Sequence, residues 1–208
     1  MKATANIFSI IFHPSLLPTW LVFIILFFVN RDLRLEDSAK KLVFTGTFFF
    51  FTGILPVINV LILQRFGYIT NLQMEDRKER TMPYTIGLVY YGGLFYLIYN
   101  SDLPDFFKAL VATGFLLILF TLIVNLKWKI SAHAIGAGGF AAAMFSYSWV
   151  EQHSMLLWIC LAFFVAACSC FARLYLKKHS PQQVYLGFLG GFFIAAFSIR
   201  LVILFFQQ

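Results

Sequence analysis

Two histidines stand out because each lies inside a run of basic residues. His133 closes the stretch Lys127-Trp128-Lys129-Ile130-Ser131-Ala132-His133. His179 sits in Arg173-Leu174-Tyr175-Leu176-Lys177-Lys178-His179-Ser180-Pro181-Gln182-Gln183. A third basic run, Met74-Glu75-Asp76-Arg77-Lys78-Glu79-Arg80-Thr81-Met82-Pro83, contains no histidine. Cationic side chains of this kind hold a phosphate and neutralise charge on its equatorial oxygens in the transition state. One imidazole can attack phosphorus while the other protonates the leaving oxygen. No Asp or Glu stands beside either histidine. Metal-assisted phosphate hydrolysis wants carboxylates, so the expectation is chemistry with no metal and no cofactor.

Each residue also has an ordinary reading. Lys and Arg at the ends of membrane helices snorkel to headgroups or set topology, and a lone histidine there is an interfacial or packing residue. The chemical reading rests on both histidines falling on one expected membrane face, each within a basic cluster. His13 and His153 have no basic companions and read as interfacial structure. Cys160, Cys168 and Cys170 share one apolar run, which is neither a zinc spacing nor a disulfide framework, and they read as small packing residues.

The elements that must position these clusters are long apolar runs. A helix needs ~20 mostly apolar residues to cross the hydrocarbon core. Candidate spans fall roughly at 7–29, 42–64, 84–100, 106–126, 134–150, 155–172 and 184–206. Pro14 and Pro18 break the first, so part of it is free to lie along the interface, and they also argue against a cleavable signal peptide. Gly136, Gly138, Gly139 and Ala141 to Ala143 would let the fifth pack closely. Two spans separate each basic cluster from the next, so in either orientation all three return to the same face.

Composition agrees. The chain of 208 residues is 61% hydrophobic and only 12% charged, against about 45–50% and about 25% in soluble domains. All nine acidic residues (Asp32, Glu36, Asp37, Glu75, Asp76, Glu79, Asp102, Asp105, Glu151) fall between the apolar runs. The reading is an all-α polytopic transmembrane helical bundle of six to seven spans, forming a single integral membrane domain over residues 1–208. The net charge of +7 sits in short loops beside spans, which suits anionic headgroups or a phosphate substrate rather than nucleic acid.

The motifs carry a resemblance. Ser131-Ala132-His133, then Arg173, five residues, His179, three residues and Gln183 look like the type-2 phosphatidic acid phosphatase superfamily, whose signatures run K-x6-R-P, P-S-G-H and S-R-x5-H-x3-D. Arg77-Lys78-Glu79-Arg80-Thr81-Met82-Pro83 keeps the basic residues and proline of the first signature but not its R-P pair, and Gln183 stands where the family has Asp. The resemblance spans roughly residues 74–191, with a phosphatase-like core at about 42–206. It implies a membrane hydrolase acting on a lipid phosphate or pyrophosphate through a phosphohistidine. His179 would be the nucleophile, Gln183 its partner, and His133 the acid that later activates water. Arg173 and Ser131 would clamp the phosphate, with Lys78, Arg77 or Arg80 from the first cluster and Lys129 beside them.

The alternative is a homologue that binds phosphorylated lipid without hydrolysis, and Gln183 is the feature that favours it. A transporter is disfavoured because no acidic residue lies within a span and Arg200 is the clearest intramembrane charge. A retinal protein lacks a lysine in the last span. The expected location is a cell membrane, as in the bacterial inner membrane. Counting Lys and Arg in loops favours cytoplasmic clusters, whereas the family resemblance favours the external face, and the balance is placed on the external side.

Overall fold

The computed structural model describes residues 2–29, 37–152 and 154–207. Asp32, Glu36 and His153, named from the sequence, lie outside the described residues, as do Arg31 and Arg34 of the loop count. Among the described residues there are eight helices, with 82% helix and no strand.

They are α1 (Lys2–Ile11), α2 (Leu17–Val29), α3 (Ser38–Arg65), α4 (Thr81–Tyr99), α5 (Asp105–Lys127), α6 (Ala132–Val150), α7 (Leu156–Tyr175) and α8 (Pro181–Phe206). A single 3-10 turn, Arg77–Arg80, leads into α4. Four of the helices, α3, α5, α7 and α8, are long and apolar enough to cross a membrane.

The stretch 7–29, read from sequence as long and proline-broken, holds two helices, α1 and α2, parted at the first of its prolines. Pro14 lacks an N–H and disfavours helical backbone at His13, so the chain breaks there and restarts at Leu17. Within α3 the helix widens to a π turn over Phe49–Ile54, just ahead of Pro56. A proline cannot donate to the carbonyl four residues back, and a π turn absorbs that loss. Thr52 supplies a further bond from its side chain to Phe48 O at 2.9 Å.

The bundle is built around the contact of α6 with α8. A Cβ on Gly138 would stand 2.2 Å from Phe188 O, and one on Gly191 would stand 2.1 Å from Ile135 O. Only hydrogen at these two positions lets the backbones meet so closely, which is how membrane helices gain packing in place of the hydrophobic effect. Helices α5, α7 and α2 surround this pair, with α4 packed on α5 and α1 on α7. Most of α6 is therefore buried in protein. A helix hidden from lipid can carry small residues in place of large apolar ones, which explains its Gly- and Ala-rich sequence. The apolar core, including Leu21, Ile25, Phe48, Leu94, Phe107, Met144 and Ile199, is joined by a buried Thr113–Ser198 hydrogen bond of 2.8 Å between α5 and α8.

Large side chains such as Phe197, Leu201, Val89 and Leu157 remain exposed around the outside. That is an exterior suited to hydrocarbon. Arg200 stands with its guanidinium 4.6 Å from the centre of the Trp149 ring. The clearest intramembrane charge in the sequence thus rests on an aromatic face. The three cysteines are free, and Cys160 is exposed rather than packed inside.

Candidate active site

The loop before α4, the α5–α6 loop and the α7–α8 loop meet at one end of the bundle. Direct bonds show it. Lys178 Nζ donates to Gln73 Oε1 at 2.6 Å and to Glu75 Oε1 at 2.9 Å. Arg77 Nη1 donates to Asn125 O at 3.1 Å and also to Leu126 O, while Asn125 Nδ2 donates to Arg77 O at 2.7 Å. Ser131 N donates to Gln183 O at 3.4 Å.

His179 is positioned by the start of α8. Ser180 is the N-cap of that helix, Pro181 takes its first position, and Gln183 closes a capping box. Ser180 N donates to Gln183 Oε1 at 3.2 Å, and Gln183 N donates to Ser180 Oγ at 3.4 Å. The same Oε1 lies 2.9 Å from His179 Nδ1. Because a backbone N–H already points at this atom, it must be the amide oxygen, and His179 must carry its proton on Nδ1. Nε2 is then left with its lone pair, the form a nucleophilic imidazole needs. Burial pushes the His179 pKa down to about 4; the Gln183 bond opposes this, while Arg80, Lys129 and Arg173 add to it.

His133 lies at the start of α6, which Ser131 caps by accepting from Ala134 N at 3.4 Å. Ser131 is fully buried, so its hydroxyl serves the helix end beside His133. His133 Nε2 lies 3.3 Å from Ser9 O. Arg173, in the last turn of α7, lies within electrostatic range of both His133 and His179. Its Nη2 donates to Ser9 Oγ, and its buried Nε has no partner among the described residues.

Of the three open alternatives in the first cluster, the geometry separates each. Arg77 caps the carbonyl end of α5. Lys78 is exposed. Arg80 is buried, held through Nε by Met74 O at 2.8 Å, and lies in electrostatic range of His179. Lys129 is half-buried, and burial lowers its pKa, with Arg80 adding and Glu75 opposing. Glu75 is held below the usual carboxylate range by the hydrogen bond and charge of Lys178. Lys129, Lys177, Lys178, His179 and Gln183 line an open depression on this end.

Two groups near these residues were not read from sequence as part of the site. His13 reads from sequence as interfacial structure, yet its ring meets that of His133 edge to face with centroids 5.0 Å apart. Ser9 joins both Arg173 and His133. No charge or motif marks Ser9, and its place follows only from α1 folding against α7. The role of Gln183 did have a signal, since Ser180-Pro181-Gln182-Gln183 is a capping-box string.

A cavity of about 220 Å³ runs from this end into the bundle between α2, α3, α4, α5 and α6. His13, Met74, Tyr84 and Ala132 line it near the clusters, and Thr52, Leu110, Thr113 and Ala143 line it deeper. A smaller engineered cavity of about 150 Å³ lined by apolar side chains stays dry and takes up benzene, so this space suits hydrocarbon better than water.

No family model matches the chain, and no curated protein or solved structure matches it either.

Proposed function

We propose that this protein is an integral membrane phosphatase that hydrolyses a lipid phosphate or pyrophosphate without a metal, through a phosphohistidine. The observation that carries the reading is the His179–Gln183 pair, which leaves Nε2 of a neutral imidazole unprotonated. Nε2 attacks phosphorus, forming the P–N bond as the P–O bond to the leaving group breaks. His133, charged as the imidazolium beside the bound phosphate, gives its proton to the departing oxygen and is left as neutral imidazole. It then takes a proton from water, which attacks the phosphohistidine, releasing phosphate and restoring His179. Arg173, Arg80 and Lys129 balance charge on the phosphoryl oxygens, and Ser131 holds the N-terminus of α6, whose dipole favours the anion. Lys78 is exposed and takes no part in these steps, and Arg77 supports the site through α5.

Helices α4 and α6, 19 residues each, join the four long apolar helices to make six spans, with α1 and α2 a hairpin at the membrane surface or a seventh crossing. The bundle is a single domain in a cell membrane, here assigned to the bacterial inner membrane with the site on the external face. The apolar cavity beside the clusters supports a lipid substrate, because it offers the hydrocarbon a place close to the phosphate.

The decisive assay is phosphate release by purified protein from a panel of lipid phosphates in EDTA, beside His179→Ala. Release that survives EDTA and vanishes in the variant supports the reading. A folded protein that releases none, yet binds phosphorylated lipid, is the non-hydrolysing binder that the neutral amide of Gln183 favours.

A further inference from the structure

Ser9 contacts the two side chains to which the proposed reaction assigns phosphate oxygen and leaving oxygen. It is buried, with 6% of its surface exposed, in the last turn of the ten-residue helix α1. Its hydroxyl proton goes to Ala5 O at 2.7 Å, so Oγ meets Arg173 Nη2 purely as an acceptor. The N–H of Phe12 goes to Phe8 O and that of His13 to Ile10 O. The Ser9 carbonyl is thus left outside the helical ladder, as the last carbonyls of any helix are. His133 Nε2 faces it at 3.3 Å.

We propose that α1 is a plug built into the phosphate site, with Ser9 presenting to Arg173 and His133 the two oxygen acceptors that a bound phosphate ester would present. This rests on the reading of Arg173 and His133 as phosphate-handling groups. The plug is displaceable by its chemistry. Ser9 offers neutral acceptors, whereas a phosphate offers charged ones, which form stronger hydrogen bonds to a guanidinium. Among the described residues Arg173 Nε also finds no partner, so the resting contact satisfies the guanidinium only in part.

The outer face of α1 supplies the place to which it withdraws. Ile7, Ile10 and Ile11 are 57%, 68% and 44% exposed. A helix with an apolar outer face rests stably at a bilayer interface. The break at His13-Pro14 lets α1 swing while α2 stays packed on α6. Lipid then enters sideways, between α1 and the bundle.

The test uses the full chain in lipid nanodiscs and measures inorganic phosphate binding, with hydrolysis of a lipid phosphate measured separately. Ser9→Ala removes the hydroxyl acceptor and is expected to tighten phosphate binding by about tenfold, the scale of one hydrogen bond to a charged group. Adding Arg173→Ala is expected to erase that gain. Ser9→Thr, which keeps both acceptors, is expected to bind as the parent does. Unchanged or weaker binding in Ser9→Ala overturns the plug, whether or not the protein hydrolyses lipid. Tighter binding without any hydrolysis keeps the plug and removes the phosphatase reading. Should Ser9→Ala fail to fold, maleimide labelling of Ser9→Cys, with Cys160, Cys168 and Cys170 replaced by Ala, decides the matter. Labelling that rises as phosphate saturates the site supports withdrawal of α1, and labelling indifferent to phosphate overturns it.

Discussion

The Nδ1 atom of His179 lies 2.9 Å from Oε1 of Gln183, and the same oxygen accepts from Ser180 N. One amide oxygen therefore starts α8 and sets the tautomer of the candidate nucleophile. A carboxylate there would also stabilise the cation that forms on the ring; the amide does only the orienting part.

Separating orientation from charge is straightforward at this position. Gln183→Ala is expected to lower kcat by up to about 10⁴-fold, the loss seen when a catalytic histidine is left in the wrong tautomer. Gln183→Glu keeps the acceptor and adds charge, so it should raise the His179 pKa and move the acid limb of the pH–rate profile upward. An acid limb that stays put in Gln183→Glu would mean the pair is not coupled to the reaction.

The depressed pKa of His179, about 4 because of burial, has a definite sign. The ordinary value is near 6.5, so the folded protein binds the proton less well than the unfolded chain. The contribution to stability is complete above pH 6.5 and is lost as pH falls toward 4. Thermal unfolding of His179→Ala should accordingly depend less on pH across that window than the parent does. Free-enzyme kcat/KM should hold its nucleophile-limited plateau down to about pH 4.

Arg80 and Arg77 differ by three positions and should differ in kind. Arg80→Ala, which removes a buried cation near His179, is expected to reduce kcat/KM by about 10²- to 10³-fold, as loss of one preorganised charge-stabilising donor does. Arg77→Ala removes the cap on α5 and should instead lower Tm, with activity per folded molecule close to that of the parent. Steady-state kinetics beside a thermal-shift series checks both.

At the α6–α8 crossing, Gly138→Ala and Gly191→Ala force a methyl group against backbone. Each should destabilise by about 1–3 kcal/mol, the usual cost of overpacking, and displace Ser131 and His133 relative to Gln183. Activity and Tm should fall together. A variant with normal Tm would contradict the packing described.

Gly87 lines the cavity, and a Cβ there meets Ile118 only at 3.6 Å, an ordinary contact. Gly87→Leu should therefore fill the space without breaking the bundle. Hydrolysis of long-chain lipid phosphate is expected to fall roughly 10- to 200-fold, the range for a mismatched apolar pocket. A short-chain or aryl phosphate should be hydrolysed as before. Equal losses on both would place the hydrocarbon elsewhere.

Much of the architecture was legible because apolar length is a strong signal. The stretches 106–126, 134–150, 155–172 and 184–206 lie within helices α5 to α8 or within a residue of them, and the basic clusters fall at the helix junctions, running into the end turns on either side. The break in 7–29 was only half visible: the prolines marked it, but nothing local says that α1 docks on α7 through Ser9 with its isoleucines turned outward. Arg77, Lys78 and Arg80 were indistinguishable for a related reason. Which side a 3-10 turn presents depends on what it packs against, here the end of α5.

What the sequence determined by itself was the helical, lipid-facing character of the chain and the grouping of its basic residues, since both follow from local composition and from the hydrogen-bonding needs of backbone in hydrocarbon. The tertiary structure alone decided which of those residues meet. Ser9 reaches Arg173 and His133 across more than half the chain, and Gln183 O reaches Ser131 N, because glycine lets α6 and α8 approach to backbone contact. Such contacts depend on helix crossings, and a crossing is set by the shapes of two surfaces together, not by either segment read alone.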